Sequence, residues 1–463
     1  MNKNWRIFFI IIILVLSFLI RLYPIRMAHW WDETVYLQHA EIMFSGRSNF
    51  DELSFRPPLL SILFFLGFFI KHSVITASFI TAMLGVLAVF FTYLIGKRVY
   101  GEKTGVVAGL IFAFVPFMTL NSNYLLTDVP VITLIAISFY FSLFRERKIC
   151  YFFSGLFLGL SILIKFTAVL MILVFLLYFY LYKKELNKEK FVLFIIGFLL
   201  ILVPYFIWCQ ISFGNFLTPF IQGQGMVGDK NESIFFYIIQ FPKAFGYLII
   251  LGVILWIFSF IKKIGKKEYN IKNELIIMFW ILLFLIYLTK TPHKELRYIL
   301  PITTPVFLLA SKGLTDFYNF FKKKYKLIWS IVFIFYLFFL IFSSYAFENV
   351  KTGIFVDRTI TEEMKIADYL NETDYHGIIY TSQRWPVLAY YTGLETKVVY
   401  PYNEVIYSLI PEKMKDPGIF IGMYDAERFE PFKHPRSDWM NQDKRFKHIK
   451  DIGNFYIYEY TPS

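Results

Sequence analysis

Charge is scarce in this chain. Asp, Glu, Lys and Arg make up 17% of its residues, against 57% hydrophobic residues and a mean hydropathy of +0.54. That balance excludes an ordinary soluble globular protein and indicates a polytopic membrane protein. Cysteine is nearly absent. The two that occur, Cys150 and Cys209, fall at opposite ends of the predicted membrane thickness, so they cannot bridge, and no Cys/His metal spacing exists. No small-residue cleavage site follows the first apolar segment, Ile7 to Tyr23. Despite Lys3 and Arg6 ahead of it, that segment reads as a retained span and not as a signal peptide. Internal repeats and low-complexity linkers are also missing. The apolar runs carry almost no ionisable residue at mid-depth, which speaks against an ion pathway or proton relay.

What is present is a series of Phe-, Ile-, Leu- and Tyr-rich runs long enough to cross a bilayer. A span needs about 20 apolar residues, because each adds roughly 1.5 Å to a core roughly 30 Å thick. Spans are expected at 7–23, 75–96, 104–121, 129–144, 151–164, 166–182, 191–211, 244–261, 275–290, 298–312 and 327–345, about eleven in all. The formal charge of +13 does not indicate nucleic acid, because the basic residues sit in short clusters between apolar runs, as in cytoplasmic loops. With the N-terminus inside, the clusters around Lys97-Arg98, Arg145 to Lys148, Lys183 to Lys190, Lys262 to Lys267, Lys312 and Lys322-Lys323-Lys324 all fall on the cytoplasmic face. The alternation requires that 58–70, about 13 residues, does not cross and forms an interfacial or re-entrant helix. Residues 24–74 then form one large outer loop. Within it, 33–45 reads as an amphipathic helix lying at the membrane surface, with Val35, Leu37, Ala40, Ile42, Met43 and Phe44 on its apolar side and Gly46 ending it.

After Tyr345 the composition changes to charged residues and turn signals. The chain divides into a transmembrane domain, 1–346, and a small extracytoplasmic α/β domain, 347–463. A helix is predicted over Ile360 to Leu370, with short strands at 377–381, 418–422 and 455–459. Trp385, Tyr390, Tyr391, Tyr400 and Tyr402 suit either sugar stacking or a packed small core. Two N-glycosylation triplets, Asn231-Glu232-Ser233 and Asn371-Glu372-Thr373, fall on the expected outer side.

Three groups of residues carry chemical potential, all on that side. Asp32 and Glu33, in Trp30-Trp31-Asp32-Glu33, suit a general base for an incoming hydroxyl with a neighbour as hydrogen-bond partner or cation ligand. The alternative for Asp32 is an N-cap for the helix starting at Glu33, and the two are compatible. Asp128, in Leu126-Thr127-Asp128-Val129-Pro130, is a second acid at an outer turn or an ordinary helix start. Arg56, Lys165, His293, Lys294 and Arg297 are basic and outside, against the positive-inside trend. Cations gathered at one interface make a site for a phosphate or pyrophosphate head group, or snorkel to lipid. His293 and Arg297, four apart, share a face if their turn is helical.

The ordered set Asp32-Glu33 with Tyr36 and Ala40, Arg56-Pro57-Pro58-Leu59, Thr127-Asp128-Val129-Pro130, Gly159 to Lys165-Phe166-Thr167, and His293 to Arg297-Tyr298 with Leu300-Pro301 resembles the membrane glycosyltransferases of the GT-C fold. The nearest groups are the protein O-mannosyltransferase relatives and the aminoarabinose transferases of lipid A. The resemblance covers about residues 1–312 and does not extend to 347–463. It implies a polyprenyl-phosphate-linked sugar donor in the bilayer and a protein, lipid or glycan acceptor on the extracytoplasmic side. It implies Asp32 as catalytic base, Glu33 and Asp128 shaping the acceptor or cation site, and Lys165, His293 and Arg297 as donor-phosphate contacts, with Arg56 grouped among the cations. It leaves the metal open, since some GT-C enzymes use a divalent cation and others do not. The expected protein is therefore an all-α polytopic glycosyltransferase with a small α/β appendage, working by a single inverting displacement. The alternative class is a transporter or lipid flippase, which requires broken-helix pairs or symmetry between halves.

Overall fold

A peptide group in apolar surroundings must be hydrogen-bonded by its own chain, and a helix achieves this residue by residue. The computed structural model describes residues 3–23, 25–46, 56–225, 232–264, 271–320, 335, 356–357, 359–399, 414–425 and 437–462, and in it the apolar runs are helical. In chain order these are α1 (Lys3–Leu22), α2 (Trp31–Ser45), α3 (Leu59–Phe68), α4 (Val74–Tyr100), α5 (Glu102–Phe114), α6 (Pro116–Ser122) and α7 (Asp128–Ser142). They continue as α8 (Lys148–Ile164), α9 (Met171–Leu181), α10 (Lys188–Phe213), α11 (Thr218–Gly225), α12 (Phe236–Phe245), α13 (Tyr247–Ile264) and α14 (Lys272–Lys290). Tight 3-10 turns at Phe166–Leu170 and Leu296–Ile302 precede α9 and a helix over 303–320. Every expected span but the last is matched by a helix or a helix pair; the last, 327–345, lies outside the described residues. Among the described residues α4, α10, α13 and α14 are each long and apolar enough to cross a membrane, and α5 with α6 form a further candidate bent by 59°. The remaining apolar helices, α7 and α8 among them, are shorter.

The chain divides into two compact units. One comprises Met1–Ile25, Phe55–Leu63 and Ser73–Phe355; the other comprises Arg26–Ser54, Phe64–His72 and Val356–Ser463. In the first, helices meet where side chains are smallest. A Cβ on Gly155 of α8 would lie 1.9 Å from the Phe194 carbonyl oxygen, and one on Gly197 of α10 would lie 2.1 Å from that of Phe152. Glycine at both positions lets the two backbones touch. The break between α5 and α6 follows from Pro116, which has no N–H to offer the carbonyl of Phe112 four residues back. Arg21 of α1 takes over that bond: Nη2 donates to the Phe112 oxygen at 2.8 Å and Nη1 to the Ala113 oxygen at 2.9 Å. Nη1 also donates to Ser17 Oγ at 2.6 Å, so both terminal nitrogens of a fully buried guanidinium are satisfied by backbone and hydroxyl oxygens, while Nε has no partner among the described residues.

Two short strands are β1 (Ile25–Arg26) and β2 (Val356–Asp357), and the second unit contains a five-stranded sheet. Its strands are β3 (Ile378–Thr381), β4 (Thr396–Val398), β5 (Gly418–Met423), β6 (Phe446–Ile452) and β7 (Phe455–Tyr460), in the order β4-β3-β5-β7-β6. β3 is parallel to β4 and β5, while β7 is antiparallel to β5 and β6. Side chains alternate across the sheet with period two. Ile379, Ile419 and Ile457 pack under Ile366 and Leu370 of the helix Glu362–Glu372 and Leu388 of the helix Trp385–Thr392. Tyr380, Phe420, Tyr456 and Tyr458 form the opposite core with Met440 and Phe446. The helix expected near 360–370 and the strands expected near 377–381, 418–422 and 455–459 are all present.

α2 departs from expectation. Residues 33 to 38 are buried without interruption, so polar and apolar side chains alike are enclosed over this stretch and no solvent-facing polar stripe runs along it. Within its unit it packs on the helix Trp385–Thr392, where Trp31 meets Trp385 edge-on at 4.3 Å and Gln38 Nε2 donates to the Pro386 carbonyl at 2.6 Å. α3, ten residues long and apolar, spans about 15 Å and is too short to cross.

Candidate functional site

The expected site residues occur in two groups, one in each unit. In the second unit Asp32 and Glu33 open α2. The N-cap is Trp30, with Gly46 in the left-handed conformation at the other end. Asp32 is therefore the second residue of the helix and does not cap it. The carboxylate that completes the helix start is Glu33, whose Oε2 accepts the Trp30 N–H at 2.7 Å. Its other oxygen, Oε1, accepts from Arg26 Nη1 at 2.8 Å, and His29 Nδ1 lies 4.0 Å away. Burial pushes the Glu33 carboxyl up, but His29, Arg26 and the Trp30 amide together outweigh it and hold the group below its ordinary acidity range. The adjacent acids therefore differ in environment. Glu33 is fully buried with oxygens bound from the chain, whereas Asp32 is only half-buried at the helix start, where the macrodipole favours a negative charge.

In the first unit, Asp128 is the first residue of α7 and Lys165 the residue at which α8 ends in extended conformation. α7 and α8 run antiparallel, and their ends meet there. Lys165 Nζ donates to Asp128 Oδ1 at 2.5 Å, with Asp128 2% and Lys165 20% exposed. Arg297 Nη1 lies 3.7 Å from Asp128 Oδ2. The turn carrying Arg297 is not helical before Leu296, so His293 and Arg297 do not share a helix face. They meet instead at Glu295, which sequence reasoning passed over. Arg297 Nε donates to Glu295 Oε2 at 2.5 Å, and Nη2 to Oε1 at 3.2 Å. His293 Nε2 lies 2.9 Å from that same Oε1, and the Tyr298 hydroxyl donates to it at 3.2 Å. Burial raises the Glu295 carboxyl, but Arg297 and then His293 more than reverse this and hold it low. Tyr298 closes the cluster, with Lys165 Nζ 4.9 Å from its ring centre. Lys294 turns to the carbonyl of Glu232 at 2.9 Å. Arg56 stands half-buried before Pro57-Pro58 at the approach to α3.

The first unit thus brings Lys165, His293 and Arg297 together around two carboxylates, those of Asp128 and Glu295. Asp32 and Glu33 belong to the other. Glu295, Arg26 and His29 were missed because they stand among residues of opposite sign or beyond a turn. The alternation of acid and base in His293-Lys294-Glu295-Leu296-Arg297 was the available signal. Lys165 has three N–H donors and gives one to Asp128, so it keeps capacity for an anion. Among the described residues no three His, Cys, Asp or Glu side chains converge as a metal site requires.

The dolichyl-phosphate-mannose-protein mannosyltransferase family model matches residues 56–208, about a third of the chain. No curated protein sequence matches. The fold is similar to that of ArnT from Cupriavidus metallidurans bound to undecaprenyl phosphate, with a TM-score of 0.69 at 14% identity over 100% of this chain and 99% of that one. It is similar to the oligosaccharyltransferase AglB of Archaeoglobus fulgidus in complex with an inhibitory peptide and a dolichol-phosphate, with a TM-score of 0.66 at 11% identity over 100% of this chain and 74% of that one. The mycobacterial arabinofuranosyltransferase AftD gives a TM-score of 0.54 at 11% identity, over 99% of this chain and 42% of that one. The chain accordingly has the GT-C fold of polytopic membrane glycosyltransferases, and resembles ArnT and the protein mannosyltransferases within it.

Proposed function

We propose that the protein is a membrane glycosyltransferase that moves a sugar from a polyprenyl-phosphate-linked donor to an acceptor hydroxyl on the extracytoplasmic side. The observation that carries this reading is the knot of Asp128, Lys165, Glu295 and Arg297 in an apolar helical unit whose fold is that of GT-C enzymes. Two solved proteins of that fold hold undecaprenyl phosphate and dolichol-phosphate, which supports a lipid phosphate as leaving group.

In this reading the donor enters sideways from the bilayer and its phosphate meets Lys165, Arg297 and His293, with Arg56 as a further cation. Asp32 takes the proton of the acceptor hydroxyl as that oxygen bonds to the anomeric carbon. The anomeric carbon–phosphate oxygen bond breaks through a transition state of oxocarbenium character, and the lipid phosphate leaves with the electron pair. A single displacement inverts the anomeric centre. Fixed cations stabilise the departing phosphate, often the largest catalytic term. Glu33 holds the turn before α2, and Asp128 and Glu295 hold the cations in place. The N-terminus is cytoplasmic and residues 347–463 are extracytoplasmic, as the basic clusters require. Acceptor class, sugar and metal dependence stay open in this proposal.

The test incubates purified full-length protein in nanodiscs with radiolabelled polyprenyl-phosphate pentoses and hexoses. Release of free polyprenyl phosphate together with labelled acceptor supports the proposal. Movement of label across proteoliposomes without bond cleavage would overturn it in favour of a transporter or flippase.

A further inference from the structure

The turn from Arg26 to Trp30 is irregular backbone, and each polar group it presents needs a partner. Three side chains supply them. Arg26 Nη2 donates to the Ala28 carbonyl at 2.8 Å, and Glu33 accepts the Trp30 N–H. The third is Tyr391, more than three hundred and fifty residues later in sequence: its oxygen accepts the His29 N–H at 2.7 Å and donates to the Met27 carbonyl at 2.9 Å. One phenol thus binds both sides of the turn. Its own helix, Trp385–Thr392, is fixed to α2 by the Trp31–Trp385 edge contact and by the Gln38 bond to Pro386. Tyr390 adds a ring contact to His29 at 5.7 Å. Asp32 stands three residues beyond His29, on the first turn of the helix that this backbone introduces.

We infer that the C-terminal domain is a working part of the site, and that Tyr391 is the positioning residue through which it sets the Asp32 turn. This rests on the proposed role of Asp32. Removing the Tyr391 oxygen leaves the His29 N–H and Met27 carbonyl without their partner, so the turn relaxes and the direction of the Asp32 side chain with it. Displacement of a reacting group by about 1 Å costs on the order of 10²-fold in rate. Residues 347–463 thereby gain a role that their lack of sequence resemblance did not suggest.

The variant is Tyr391→Phe, which deletes one atom and keeps the ring. Hydrogen–deuterium exchange on the full-length protein should rise in peptides covering 27–34 and stay unchanged in α4 and α10. With the polyprenyl-phosphate sugar that the wild type turns over, kcat should fall about 10- to 100-fold, with donor KM and melting temperature unchanged. Tyr390→Phe is the control. The Tyr390 hydroxyl makes no hydrogen bond among the described residues, so that variant should match the wild type in both readouts. Wild-type exchange in 27–34, or a wild-type kcat despite raised exchange, would overturn the inference. If the wild type turns over no such donor, the glycosyltransferase reading fails on its own, and exchange alone decides whether Tyr391 holds the turn.

Discussion

Lys165 donates to Asp128 at 2.5 Å across 37 residues of sequence, joining the end of α8 to the start of α7. Asp128 is 2% exposed, so removing the lysine strands a carboxylate whose other cation, Arg297, lies at 3.7 Å. Lys165→Met should lower the melting temperature of the detergent-solubilised protein, with a loss of roughly 2 kcal/mol, below the full cost of a wholly buried pair because Lys165 is partly exposed. Asp128→Asn in the same chain should recover part of that loss. A double-mutant cycle should give a coupling of about 1 kcal/mol or more. Strict additivity would mean that the pair does not hold these helix ends.

Glu295 organises its turn more than any cation in it does, since Arg297, His293 and Tyr298 all converge on its carboxylate. Glu295→Gln keeps the shape but removes the charge, and the charge-assisted bonds to Arg297 weaken by about 1.5–3 kcal/mol. In the proposed reaction the donor KM should rise on the order of tenfold while the acceptor KM stays put. A change confined to the acceptor KM would place this turn on the other substrate.

Asp32 and Glu33 are neighbours with opposite expected phenotypes. Asp32→Asn should cut kcat by about 10²- to 10⁴-fold, the usual contribution of general-base catalysis, at an unchanged melting temperature. Glu33→Gln should lower the melting temperature, because Arg26 then lies beside a neutral amide. Full turnover in Asp32→Asn would remove the mechanistic assignment.

The acidity of Glu33 gives a pH signature. Its folded carboxyl is held below the ordinary value of 4.5, against its burial, by His29, Arg26 and the Trp30 amide. Glu295 is likewise held below 4.5 by Arg297 and His293. Between the folded and unfolded values the unfolded chain binds more protons, so stability rises with pH there. The contribution is complete above about pH 4.5 and is lost as pH falls through the folded value. Melting temperature scanned from pH 6 to pH 3 should drop, and the drop should be shallower in Glu33→Gln. Parallel curves for the two proteins would show that Glu33 does not titrate in this window.

The spans were legible because an apolar run has one way to satisfy its backbone in lipid, and the helices from α1 to α14 follow those runs. The three strands with alternating or continuous apolar residues were legible too. β6, Phe-Lys-His-Ile-Lys-Asp-Ile, was not, because most of its residues are exposed and no alternation marks it. α2 misled because Val35, Leu37, Ala40, Ile42, Met43 and Phe44 read as its one apolar side, whereas Glu33 and Gln38 are buried too, with partners supplied by Arg26 and Pro386. His293, Arg297, Lys165 and Asp128 could be picked by charge and location. Their pairing could not, because Glu295 joins two of them through a turn whose shape depends on that very carboxylate. The Tyr391 contact depends on residues 362 apart, which no local pattern encodes.

Arg21 offers a test of why the span formed by α5 and α6 is broken. Pro116 cannot donate to the Phe112 carbonyl, and Arg21 does so in its place while also binding Ala113. Arg21→Met keeps the length and apolar stem but leaves two buried carbonyls unbound, at about 1–3 kcal/mol each. The melting temperature should fall clearly. Pro116→Ala restores an N–H within helical reach of Phe112, so the double variant Arg21→Met/Pro116→Ala should be more stable than Arg21→Met alone. Its recovery should be partial, because the Ala113 carbonyl still lacks the guanidinium. If the double variant melts no higher than Arg21→Met, the proline is not what frees the carbonyl, and the 59° bend has another cause.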